Sequence, residues 1–195
     1  MTSRERILAS IKKNQPGATE KPDINIDYTV PANPIEKFKN TLISIGGAAL
    51  EINDISEIQS FITNQFPFAS EIITGFPKLS FQKTAITEKN QPHLLHHIEI
   101  AILKGEFGVA ENGAVWITQE TMLDPALPFI CENLILVINA TDIIPSMHEA
   151  YERTDKAQYN FGTFIAGPSK TADIEQSLVL GAHGAKTLTV FIING

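Results

Sequence analysis

The chain has 195 residues, 43% of them hydrophobic and 19% charged, with a formal net charge of −7. That size and balance fit a single globular domain with a sizeable core and exclude a disordered chain. The acidic balance argues against a general nucleic-acid binder or a protein held on an anionic membrane, since both need a basic surface.

The single cysteine, Cys131, rules out an internal disulfide framework and cannot by itself hold an iron–sulfur cluster. The opening MTSRERILASIKKN is too charged for a signal peptide, and no apolar run approaches the length of a membrane span. The expectation is a cytoplasmic protein.

In that opening stretch Ile7, Leu8 and Ile11 share one face, which predicts a helix over residues 3–13 with Ser3 as its N-cap. The prolines and polar residues of QPGATEKPDINIDYTVPANP predict an extended surface connection, so residues 1–33 are expected to be a helix and linker ahead of one domain over 34–195. PIEKFKNTLISIGG then reads as a helix opened by Pro34 and ended by Gly46 and Gly47.

AALEI and SEIITG read as short strands, with DISEIQSFITNQF between them as a helix capped by Asp54. HIEIAILKG and GAVWIT are strand candidates, joined by the glycine-containing acidic stretch EFGVAENG. NLILVIN is nearly all apolar, as expected of a strand buried on both faces. DIIPSMHEAYER reads as a helix with Pro145 near its start. The closing FGTFIAG, SKTADIEQSLVLG and TLTVFI predict a strand, helix, strand crossover. This alternation predicts an α/β fold of three layers, with a mostly parallel sheet, helices on both faces and an added N-terminal helix.

Two stretches could carry chemistry. At Gly167, Pro168, Ser169, Lys170 and Thr171, the predicted strand hands over to the predicted helix at the sheet's carboxyl edge. Free N–H groups in a helix's first turn favour a phosphate or carboxylate, and open α/β sheets bind ligands at that edge. The plainer reading is that Ser169 caps the helix while Asp173 and Glu175 complement its dipole.

The second stretch is GVAENGAVW. Glu111 lies among Gly108, Ala110, Asn112 and Gly113, where small neighbours would let a ligand approach a carboxylate acting as nucleophile or base. Asn112-Gly113 is equally a hairpin turn signal. Both glycine-marked turns adjoin buried strands, which predicts that they converge on one rim of the sheet.

His93, His96 and His97 would offer a metal pair only if His93 and His97 shared a helix face, and no carboxylate falls inside the run. No metal site is expected. His183, between Gly181 and Gly184, could cap the predicted helix or reach a ligand. Cys131 in FICEN reads as an inert small hydrophobe.

GPSKTADIEQSLVLGAHG resembles the C-terminal signature of the lactate-utilisation (LUD) domain family, the lactate utilisation protein C branch in particular. GVAENGAV resembles the family's upstream glycine and glutamate motif, and LPFICENLILVI its Leu-Pro step into a buried strand. The resemblance implies a fold like that of the NagB, ribose-phosphate isomerase and CoA-transferase group. It also implies a role in a three-protein system that oxidises L-lactate to pyruvate.

In such a system the partners carry the iron–sulfur clusters and this chain binds no cofactor itself. ENG at Glu111 is also similar to the short motif bearing the nucleophilic glutamate of class I CoA-transferases. The chain departs from the family at Cys131, where a histidine is common, and lacks the usual arginine before the Leu-Pro step. The alternatives are a stand-alone acyl-transfer or sugar-phosphate-isomerase enzyme using Glu111, and a module that binds an anionic metabolite at Gly167.

Overall fold

The computed structural model describes residues 2–17, 19–20, 31–81, 92–156, 159–174 and 177–194. Much of the expected linker, residues 21–30, lies outside these described residues.

Helix α1 spans Ser3–Lys13. Its cap is Thr2 rather than Ser3: the Thr2 hydroxyl accepts from Glu5 N–H while the Glu5 carboxylate accepts from Thr2 N–H, a reciprocal pair that needs its two members three residues apart. Helix α2, Pro34–Ser44, starts where Asn33 Oδ1 accepts from Glu36 N–H at 3.2 Å. Strand β1 (Ala48–Ile52) and helix α3 (Ser56–Gln65) follow. Asp54 Oδ1 accepts from Ser56 N–H at 2.8 Å at the entry to α3.

Next come β2 (Ile72–Thr74), β3 (Ile100–Lys104), β4 (Phe107–Val109) and β5 (Ala114–Thr118). Two single-turn helices, α4 (Gln119–Met122) and α5 (Leu127–Ile130), lead into β6 (Asn133–Asn139). The chain closes with β7 (Ile143–Ile144), α6 (Met147–Lys156), β8 (Gly162–Ile165), β9 (Lys170–Ile174), β10 (Ser177–Leu180) and β11 (Thr187–Ile193).

The central sheet is five-stranded, in the order β1-β11-β6-β3-β2, and every pairing in it is parallel. Side chains alternate across β6 as a strand's two-residue period requires. Leu134, Leu136 and Ile138 face a core shared with Phe38 and Leu42 of α2, whereas Ile135 and Val137 face Ile58 and Ile62 of α3. Helices therefore cover both faces, and the α/β layering expected from the pattern is present.

The strand candidates do not all join that sheet. β4, β5, β7 and β8 form a second, four-stranded sheet in the order β7-β4-β5-β8, with antiparallel β4–β5 and β5–β8 pairings. Val115 and Ile117 of β5 pack into the core shared with α2. Phe107, Trp116 and Phe164 point the other way, where Met147 and Ala150 of α6 join them.

Among the described residues after Gly167 the predicted crossover helix does not form. In its place β9 and β10 form an antiparallel pair, with Thr171 opposite Val179 and Lys170 opposite Leu180. Two β-branched residues meeting across the ladder favour that arrangement. Tertiary bonds close it: Ser169 N–H donates to Ala185 C=O at 2.9 Å, and Gly181 N–H donates to Ser169 C=O at 3.1 Å. Glu175, which the helix reading used, lies outside the described residues.

Among the described residues, no helix is long and apolar enough to cross a membrane.

Candidate functional site

The turn at Gly167 is built by three parts of the chain. β8 delivers it, and Gly167 takes a φ of 73°, open to glycine at little cost. A side chain there would have its Cβ 3.0 Å from Ile45 C=O, so the turn lies directly on the end of α2. Lys170 Nζ donates to that same Ile45 carbonyl at 2.5 Å. A cation on a helix's last carbonyls is electrostatically favoured, and this one is engaged in that role.

The second glycine turn reaches the same helix. Gly113 has a φ of 71°, and a Cβ on it would sit 3.0 Å from the backbone nitrogen of Leu42. The β5–β8 register pairs Val115 with Ile165 and, continued outward, runs toward Gly113 and Gly167. Asn112 Oδ1 shapes this turn by accepting from Ala114 N–H at 3.0 Å. Gly108 lies buried in β4, where it faces Phe38 and Ile138. The two turns thus both rest on the end of α2.

They do not meet at the carboxyl edge of the parallel sheet. The Gly167 turn packs against the loop that feeds the start of β11, and the cleft beside it is lined by Leu134 and Leu188, near the first residues of β6 and β11. It therefore stands at the amino end of the parallel strands. The expectation failed because it required β8 and β11 to share one sheet.

That cleft has a volume of about 400 Å³, within the size range of small-molecule sites. Phe129, Phe164 and Leu188 supply apolar wall; Ser169, Thr171 and His183 supply polar groups. His183 is exposed at the loop between β10 and β11. Pro168 and Lys170 also border the cleft. The donors available to a ligand differ from those of a helix N-terminus. Ser169 N–H is already bonded to Ala185, and one of the three Lys170 ammonium donors goes to Ile45, leaving the hydroxyls, an imidazole and the remaining ammonium N–H groups. Asp173 belongs to β9 by its backbone. Phe129, which sequence reasoning passed over, follows the Leu127-Pro128 step; its partial exposure beside a buried strand is what marks it.

Glu111 is not among the residues lining the cleft. Its exposed carboxylate accepts from Met147 N–H at 2.7 Å, at the first residue of α6. A carboxylate there satisfies an unpaired donor and complements the helix dipole.

The histidine cluster forms a short 3₁₀ turn, Pro92–Leu95, rather than an α-helix. His96 Nδ1 lies 2.7 Å from His93 C=O, and His97 Nε2 lies 3.8 Å from Glu71. Among the described residues no group of three His, Cys, Asp or Glu is placed to hold a metal ion. Cys131 is buried, and that burial pushes its thiol up to about 12, far from the thiolate a nucleophile or metal ligand needs.

The LUD domain family model matches residues 77–193, which include both glycine turns and His183. The chain belongs to the LUD domain family. Helix α2, on which the two turns rest, lies outside the LUD match.

Relatives include lactate utilization protein C of Bacillus pumilus (strain SAFR-032), 27% identical over 126 residues, covering 62% of this chain and 52% of that protein. The corresponding protein of Geobacillus sp. (strain WCH70) is 29% identical over 100 residues, covering 48% and 42%. The LUD chain thus spans about half the length of these curated relatives. An uncharacterized protein of Neisseria meningitidis serogroup B (strain ATCC BAA-335 / MC58) aligns along 99% of the chain and 94% of its own length at 22% identity. Among solved structures, a DUF162 family protein from Deinococcus radiodurans superposes with a TM-score of 0.61 at 15% identity, covering 83% of this chain and 97% of that one. That likeness shows the fold.

Proposed function

We propose that this chain is a component of an L-lactate utilisation system, that iron–sulfur partner proteins accept the electrons, and that the cleft beside Gly167 holds a small carboxylate. The observation that carries the reading is the LUD match, which takes in the whole set of turns around that cleft, together with the names of the relatives.

Oxidation of L-lactate to pyruvate turns a C–OH into a C=O and releases two electrons and two protons, so an acceptor is required. The one thiol of this chain is buried and held protonated, which supports placing a thiolate-ligated acceptor on a partner. The cleft suits the substrate class. Ser169, Thr171 and His183 can donate to a carboxylate or hydroxyl, while Phe129 and Leu188 offer a wall for a methyl group. A stand-alone acyl-transfer or isomerase enzyme built on Glu111 draws no support from the placement of that carboxylate, which serves the start of α6.

The test is affinity capture of the tagged chain from lactate-grown cells, with iron measured in the eluate. Iron should co-elute with a cysteine-rich partner and fall to background when the chain is captured after expression alone in a foreign host. Capture without iron or partner from lactate-grown cells would contradict the reading.

A further inference from the structure

The outer face of the second sheet carries another cavity, of about 440 Å³, which shares no lining residue with the Gly167 cleft. Its floor is Phe107 and Trp116, set side by side by strand register, and Phe164 packs on Trp116 without lining the cavity. Trp116 of β5 pairs with Phe107 of β4 on one side and with Phe164 of β8 on the other. The Trp116 and Phe164 rings lie 4.5 Å apart, and Tyr159 meets Trp116 edge-on at 5.3 Å. Trp116 and Phe107 are buried, whereas Tyr159 is 36% exposed and presents ring surface to solvent. Thr118 and Thr154 complete the interior.

Three charged groups border this apolar floor: Glu106, Glu120 and Arg153. The guanidinium of Arg153 stands 5.5 Å from the centre of the Phe107 ring. Among the described residues, neither carboxylate nor that guanidinium takes part in an ion pair. Charges of opposite sign that border one aromatic cavity without pairing leave both acceptors and a cation available to a ligand. Aromatic walls favour a flat, polarisable ring. Carboxylates accept from ring N–H and amino groups, and an arginine pairs with a phosphate or carboxylate.

We propose that this cavity binds a planar, amino-bearing nitrogen heterocycle with an anionic substituent, the chemistry of a purine nucleotide. The ring stacks on the exposed part of Tyr159 at the mouth of the cavity, over the Trp116–Phe107 floor, with its N–H edge toward Glu106 and Glu120 and its anionic group paired with Arg153. This does not depend on the lactate reading and stands or falls separately from it.

Trp116 is the only tryptophan in the chain, so tryptophan emission, excited selectively over the tyrosines, reports on the surroundings of this cavity. AMP titrated into the full chain should change that emission saturably. Arg153→Gln and Glu120→Gln should each weaken binding by about tenfold or more, the loss expected for a hydrogen bond to a charged group. Adenosine, which lacks the phosphate, should bind the wild type more weakly than AMP, with the difference largely gone in Arg153→Gln. Tyr159→Ala should weaken AMP and adenosine alike. Far-ultraviolet circular dichroism confirms that each variant is folded. The proposal is overturned if AMP leaves the emission unchanged into the millimolar range, if the Arg153 and Glu120 variants bind as the wild type does, or if ribose 5-phosphate reproduces the effect without a base.

Discussion

Glu111 shows how a residue's surroundings decide between a structural and a chemical role. As a sequence element, ENG reads either as a turn or as a nucleophile's setting. In the fold the carboxylate accepts from Met147 N–H and closes the start of α6, a ten-residue helix. Removing such a capping group costs about 0.5–2 kcal/mol. Glu111→Ala should therefore lower the unfolding free energy by about 1 kcal/mol in urea titration, with an unchanged slope against denaturant. Stability equal to the wild type would show that Glu111 does not hold α6.

Cys131, in contrast, was legible from the sequence, because a small residue beside an all-apolar strand goes into the core. Lys170 was legible only in part. Its position predicted a cation at a ligand site, and it does border the cleft, but nothing in the sequence shows the bond its ammonium makes to the end of α2, more than a hundred residues earlier in the chain.

At the scale of elements, local pattern located most helices and strands but did not sort the strands into sheets. NLILVIN announces a strand buried on both faces, and β6 is the central strand of the parallel sheet. GAVWIT carries a similar signal and is equally buried, yet β5 belongs to the second sheet, because its neighbours are set by the hairpin to β4 and the return of β8. The stretch after Gly167 misled for a related reason. Its hydroxyls and acids imitate a helix start, whereas the pairing of β9 with β10 and the bonds that join Ser169 to Ala185 and Gly181 make it a hairpin.

The β2–β3 edge offers an electrostatic test. Glu99, just before β3, accepts from Ser70 N–H at 2.6 Å and Glu71 N–H at 2.9 Å. These bonds, that from Glu71 first, hold its carboxyl below the usual carboxylate range. A depressed folded-state pKa means that the stabilisation is present above the unfolded value of about 4.3 and is lost as pH falls through the folded value. Glu99→Gln should therefore be less stable than the wild type at neutral pH, and the gap should narrow as pH falls below about 4. A gap independent of pH would show that the charge of Glu99 contributes nothing to the edge.

For the whole molecule, the arrangement places α2 at the junction of two sheets. Its Phe38 and Leu42 enter the core against the parallel sheet, while its end receives both glycine turns. The central claim is that a LUD domain of this build serves lactate oxidation without carrying the electrons itself. It is tested most directly by L-lactate-dependent reduction of a dye in extracts of cells deleted for this chain. The deletion extract should have lost the activity, adding purified wild-type chain should restore it, and the purified chain with lactate and dye alone should give none. A deletion extract as active as the wild type, or dye reduction by the purified chain alone, would contradict the account.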